Sequence, residues 1–129
     1  MCLLDLDGFK PINDTWGHKV GDDVLREIAQ HMHAVLRGGD TVARWGGDEF
    51  VLLLKSVANP QHLAEIVERI LRAVDAPLHC TADARVRASI GVCLYPQHAT
   101  SAKELLKHAD EAMYRAKQAG GNRVVIHGR

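Results

Sequence analysis

Seven residues, Arg44-Trp45-Gly46-Gly47-Asp48-Glu49-Phe50, run without a break into the apolar stretch Val51-Leu52-Leu53-Leu54. A glycine pair between two strand-like runs predicts a hairpin turned at Gly46-Gly47, because glycine reaches positive φ without steric cost. The stretch after it lacks polar alternation, the pattern of a central strand buried on both faces. Asp48 and Glu49 therefore fall at the lip of a sheet, on a bend that lets a ligand approach the backbone. A second acidic pair, Asp5 and Asp7, closes another apolar run. Carboxylates gathered at strand ends call for a cation, since like charges held close do not all stay ionised unaided.

The 129 residues suit one domain with a core of its own. Sixteen basic side chains balance sixteen acidic ones. That neutrality argues against a protein that coats nucleic acid or a membrane surface. A nucleotide ligand, which needs only a local field, stays open. Cys2, Cys80 and Cys93 have no metal-type spacing. Cys2 and Cys93 read as small core residues, which suits a reducing cytoplasm. The sequence has neither a signal peptide nor an apolar run of spanning length.

The periodicity predicts an alternating chain. Met1–Leu6 reads as a strand and Phe9–Asp14 as a short helix with Pro11 near its first position, ended by Gly17. A helix from about Gly21 to Arg37 presents Val24, Leu25, Ile28, Ala29, Met32, Val35 and Leu36, with Asp22 and Asp23 in its first turn. The hairpin comes next, Thr41–Trp45 and Glu49–Lys55. Asn59-Pro60 caps a third helix that Pro77 stops. Strands are expected at Leu78–Cys80 and Arg85–Tyr95. Ser101 and Glu104 form a capping box before the last helix, which ends at Gly120-Gly121 ahead of a strand over Val124–Ile126. The order β-α-α-β-β-α-β-β-α-β implies an α/β (α+β) fold, a mixed central sheet with helices on both faces.

Four ordered segments then define a resemblance. They are Asp5-Leu6-Asp7-Gly8-Phe9-Lys10-Pro11-Ile12-Asn13-Asp14, Gly17-His18-x-x-Gly21-Asp22, Gly46-Gly47-Asp48-Glu49-Phe50, and Ala109-Asp110-x-Ala112-Met113-Tyr114-x-Ala116-Lys117. Along nearly its whole length the chain resembles the GGDEF family of diguanylate cyclases. The resemblance implies a fold like the palm of nucleotide cyclases and polymerases. It also implies condensation of two GTP molecules to cyclic di-GMP with loss of two pyrophosphates. One GTP per domain means that two domains must face each other as a homodimer.

By the same resemblance, Asp5 and Asp48 correspond to metal ligands, helped by the carbonyl of Leu6. Oxygen donors of this kind suit Mg²⁺ or Mn²⁺. Glu49 is similar to the acid that assists the attacking 3′-hydroxyl. Asp7 reads as a brace for a ligand or a loop. Asn13 and Asp22 match the guanine readers: an amide serves the O6/N3 side, and a carboxylate accepts from N1–H and N2–H₂. Taken alone, Asn13 is equally a helix-end residue and Asp22 a partner of a helix dipole. Gly8 and Phe9, at a helix start, offer free N–H groups to phosphate. Gly46 and Gly47 border the same ligand, and Lys10 and Lys117 are candidate phosphate cations. Many relatives carry a basic residue where this chain has Gly121; Arg123 is the candidate substitute.

Arg37-x-x-Asp40, just ahead of the hairpin, resembles the family's inhibitory product site, with Arg69 as a supplementary arginine supplied across a dimer. The same four residues also fit a helix-ending arginine and a turn aspartate. His18 reads as structural, Trp16 and Trp45 as packing near the site. The histidine spacing suggests no zinc site, since His31 and His33 face different directions on a helix. Relatives usually carry an upstream helix and a Leu-Thr-x-Leu-x-Asn-Arg segment that this sequence lacks. In relatives that upstream region connects to sensory domains, and the sequence style is common in members fused to a cyclic di-GMP phosphodiesterase domain. The alternative to an enzyme is a module that binds GTP or cyclic di-GMP and regulates an attached domain. A polymerase palm is disfavoured by the missing basic template stripe, fingers and thumb.

Overall fold

The computed structural model describes residues 1–57, 59–81 and 85–128. Its elements run β1 (Cys2–Asp7), α1 (Phe9–Trp16), α2 (His18–Val35), β2 (Thr41–Gly46), β3 (Glu49–Leu53), α3 (Pro60–Asp75), β4 (Arg87–Val92), α4 (Ala102–Gln118) and β5 (Arg123–Ile126). The five strands form one sheet in the order β2-β3-β1-β4-β5. All pairings are antiparallel except β4 with β5, so the sheet is mixed as expected.

Alternation along β1 separates two cores. Cys2, Leu4 and Leu6 point to the larger one, with Val24, Ile28 and Met32 of α2 and Leu63, Ile70 and Val74 of α3. Leu3 points to the other face and packs with Cys93, Ala109 and Met113 under α4. Asp5 and Asp7 share the parity of Leu3, and this carries both carboxylates to the α4 side. Gly91 lets α4 lie directly on β4, because a Cβ there would overlap Ala109 O and Met113 N.

The ends of the elements differ from the sequence reading in several places. Pro11 is the third residue of α1. Helix α2 starts at His18, straight after Gly17, so Asp22 and Asp23 sit beyond its first turn. Gly46 closes β2 and the bend falls on Gly47-Asp48; a register shift between Arg44 and Gly46 leaves Trp45 on a bulge, 61% exposed instead of packed. Strand β3 is one place from the sheet edge, and Leu53 is exposed; the strands buried on both faces are β1 and β4. No strand forms at Leu78–Cys80, because the N–H groups of His79 and Cys80 donate to the Glu27 carboxylate instead of to a neighbouring strand. Both caps hold: Asn59 accepts from His62 N and Ser101 from Glu104 N. Among the described residues no helix is long and apolar enough to cross a membrane.

Candidate nucleotide and metal site

The β1–β3 register brings the two acidic pairs together. Asp5 stands opposite Glu49, and the Leu6 N–H donates to the Asp48 carbonyl (3.1 Å), so the turn residue Asp48 lies beside the end of β1. The Asp48 side chain reaches the Asp5 carboxylate. From α4, Lys117 sets its Nζ 2.7 Å from Asp5 Oδ2. Asp5 Oδ1 is buried with no hydrogen-bond partner. An unpartnered carboxylate oxygen among further carboxylates is a fit for a hard divalent cation held by Asp5 and Asp48.

Charge crowding marks the titration of this group. Burial raises the Asp5 carboxyl above its ordinary range; Lys117 opposes the rise and Asp48 reinforces it. Burial also raises Glu49, aided by Asp5, Asp110 and Asp48. Burial alone would lower Lys117, but Asp5, Asp7 and Asp48 outweigh it and the ammonium is held more firmly than usual. Such opposed shifts within one cleft are typical of functional groups.

Asp7 is tied differently. Ser89 Oγ donates to both of its oxygens (3.0 Å each) and Asn122 N–H to Oδ2 (3.0 Å). It pins β1 to β4 and to the α4–β5 turn, where Gly121 is buried against it. Arg123 Nε donates to Gly121 O (3.0 Å) at the α4–β5 turn. Arg123 stands beside Ser89 in the β4–β5 register.

A cleft of about 300 Å³ is lined by Phe9, Lys10, Asn13, His18, Asp22, Leu25, Arg44, Gly47 and Asp48. It gathers six of the residues singled out from sequence. The α1–α2 corner builds it. Helix α1 starts after Gly8, whose left-handed backbone (φ 84°) carries no side-chain cap, which leaves the first N–H groups of α1 open. Asn13 is half-buried against Gly21, where a Cβ would overlap its Oδ1. Only glycine at that position lets the Asn13 amide settle on α2, one residue from Asp22. His18, read as structural, and Arg44, which was not singled out, also line the cleft. Arg44 Nε donates to Gly47 O (2.9 Å) and braces the turn. Its place two residues ahead of the glycine pair was the available signal, since residues flanking a hairpin turn face each other.

Arg37 and Asp40 come together as expected, in a clip. Asp40 Oδ1 accepts from Lys55 N (2.9 Å) and Oδ2 from Arg37 N (3.1 Å) and Nε (3.4 Å), while Arg37 donates to Lys55 O (2.6 Å). Burial would raise Asp40, but these bonds outweigh it and its pKa is lowered. Asp40 is thus engaged in holding the end of β3, whereas Arg37 stays partly open. Arg69 is exposed on α3 and bonded to neither.

The sheet, the acidic strand ends and the adjoining cleft define an α+β domain of the palm type with a nucleotide-sized polar site. The family model described as "Diguanylate cyclase, GGDEF domain" matches residues 1–123, and the chain belongs to the GGDEF family. It is 43% identical over 123 residues to the bifunctional diguanylate cyclase/cyclic di-GMP phosphodiesterase MucR of Pseudomonas aeruginosa, covering 95% of this chain and 18% of that protein. It is 45% identical over 126 residues to the diguanylate cyclase TpbB of the same species, covering 95% of this chain and 29% of that one. The crystal structure of the GGDEF domain of YfiN (TpbB) superposes with a TM-score of 0.91 at 38% identity, over 99% of this chain and 81% of that one. The GGDEF domain of DgcB from Caulobacter crescentus, solved in complex with c-di-GMP, gives 0.82 at 31% identity, over 99% and 77%. The chain spans under a third of the length of these two curated relatives.

Proposed function

We propose that this domain is a diguanylate cyclase, condensing two GTP to cyclic di-GMP and two pyrophosphates as a transient homodimer. The observation that carries the reading is the meeting of Asp5, Asp48 and Glu49 beside a cleft that holds Lys10, Asn13 and Asp22. A Mg²⁺ or Mn²⁺ ion bound at Asp5 and Asp48 would neutralise the triphosphate and acidify the attacking 3′-hydroxyl. The chain's own residues position the rest. Asp22 and Asn13 take the guanine edge, whose N–H donors adenine lacks. Lys10 and the open N–H groups of α1 take phosphate oxygens, with Lys117 at the other side of Asp5. Glu49, its proton affinity raised by burial and neighbouring carboxylates, is suited to accept the 3′-hydroxyl proton. Arg37 offers its partly open guanidinium to product. In a parent protein the domain would work in the cytoplasm, beside sensory or phosphodiesterase domains.

The test is pyrophosphate release and cyclic di-GMP formation from GTP and Mg²⁺ across a range of protein concentrations. A rate that rises more steeply than linearly supports a cyclase acting as a dimer. Binding of GTP or cyclic di-GMP without pyrophosphate release at any concentration rejects it in favour of a regulatory binding module.

A further inference from the structure

Away from the cleft, α2 and the segment after α3 bring three metal-ligating side chains together, with Cys80 next in sequence to one of them. Glu27 and His31 are one helical turn apart on α2, and His31 Nε2 lies 3.3 Å from Glu27 Oε2. His79 joins them, so that Glu27, His31 and His79 each offer a ligand atom within 4.8 Å of the others. Cys80 follows His79 and its thiol interacts with the same carboxylate. We propose that Glu27, His31, His79 and Cys80 form a zinc-binding site that ties α2 to the segment following α3.

The geometry favours one metal at this place. Tetrahedral zinc with bonds of about 2.0–2.2 Å to nitrogen and oxygen holds such ligand atoms about 3.3–3.5 Å apart; the His31–Glu27 separation already has that value. The imidazole planes of His31 and His79 stand at 82°, with ring centroids 6.4 Å apart, so their in-plane lone pairs can converge. Glu27 is buried, and its carboxylate is oriented by N–H donation from His79 (2.7 Å) and Cys80 (2.9 Å), the outer support that metal ligands normally need. Burial would raise Glu27, but those N–H bonds outweigh it and the group is held ionised. Two nitrogens, a thiolate and a carboxylate form a set that selects zinc over magnesium. The unpaired spacing of the histidines along the sequence concealed the group, since His79 and Cys80 reach α2 only through the fold. A second grouping, His108, Glu111 and His127, is less suited. Its imidazoles stack at 4.1 Å with planes 20° apart, so their lone pairs run nearly parallel.

The experiment is calorimetric titration of the chain with zinc, followed by cobalt(II) substitution read by visible and near-ultraviolet absorption. One zinc per chain is expected, retained in Asp48→Ala, which removes the carboxylate at the sheet edge. His79→Asn, at an exposed position that does not threaten folding, should weaken binding by at least about a hundredfold, beyond the loss produced by removing an orienting partner. His127→Ala and His33→Ala should leave it unchanged. The cobalt form should show tetrahedral bands and a thiolate charge-transfer band that Cys80→Ser abolishes. At a hundredfold excess over Kd, zinc should raise Tm by about 10 °C. Absence of saturable zinc binding overturns the proposal, as does binding that survives His79→Asn or disappears in His127→Ala. A cobalt form without the thiolate band removes Cys80 from the site.

Discussion

Lys117 on α4 places its ammonium 2.7 Å from Asp5 Oδ2 at the end of β1, joining the last helix to the central strand at the acidic lip of the sheet. The lysine is only partly exposed, and the neighbouring Asp7 and Asp48 hold its proton firmly. It is thus a fixed positive charge beside the place where triphosphate oxygens would lie. Lys117→Ala should raise KM for GTP by about tenfold or more, with a smaller fall in kcat. Steady-state kinetics at saturating Mg²⁺ separate the two parameters. An unchanged KM would remove Lys117 from phosphate binding and leave it a partner of Asp5 alone.

Asp48 and Glu49 should part company on stability and activity. Asp48→Ala should abolish turnover while leaving the circular dichroism spectrum unchanged. Unchanged turnover would reject it as a metal ligand. Glu49→Gln should lower turnover yet raise Tm in metal-free buffer at neutral pH. The sign follows from linkage. A carboxyl whose folded pKa is raised binds its proton more tightly in the native state, so it destabilises above that pKa. The penalty fades as pH falls through the raised pKa toward the ordinary glutamate value near 4.3. The Tm difference between the two proteins should therefore be largest at pH 7 and shrink at pH 4, as differential scanning calorimetry would reveal. A lower Tm for Glu49→Gln at pH 7 would contradict the crowding of charge at this lip.

Gly21 is the contact on which the Asn13 corner of the cleft depends. A methyl group there overlaps Asn13 Oδ1 and approaches Asn13 Cγ (2.9 Å) and Phe9 Cζ (3.3 Å). Gly21→Ala should push α1 off α2, at a cost of about 1–3 kcal/mol. Because the displaced elements carry Asn13, Phe9 and Lys10, KM for GTP should rise as well. Chemical denaturation and a substrate titration test the two effects. A fully stable variant with normal KM would mean that α1 moves without consequence for the cleft.

Much of this arrangement was legible because it is local. The alternation of Val86, Ala88, Ile90 and Val92, the caps at Asn59 and Ser101, and the apolar faces of α2 and α3 are each written within a few residues. The ordered motifs placed Asp5, Asp48, Asn13 and Asp22 in one region. What escaped was decided by contacts distant in sequence. Residues 78–80 have strand-like composition, yet Glu27, about fifty positions earlier, takes their N–H groups. The bend at Gly47-Asp48 depends on a bulge at Trp45, a matter of register that composition does not record.

The Arg37–Asp40 clip allows two roles to be separated by experiment. Asp40 is almost wholly buried and accepts from Lys55 N and Arg37 N, whereas the Arg37 guanidinium is partly open. Asp40→Ala leaves those donors unmatched and should cost about 1–3 kcal/mol. Its folded pKa is lowered, so the stability it confers is complete above the ordinary aspartate value near 3.9 and is lost as pH falls through the lower folded value. The gap in Tm between the parent chain and Asp40→Ala should therefore close as pH is taken below 4. Arg37→Ala should behave otherwise: a small change in Tm, an unaltered initial rate, and weaker inhibition by added cyclic di-GMP. Inhibition that persists at the same product concentration in Arg37→Ala would assign the pair to holding the end of β3 and nothing more.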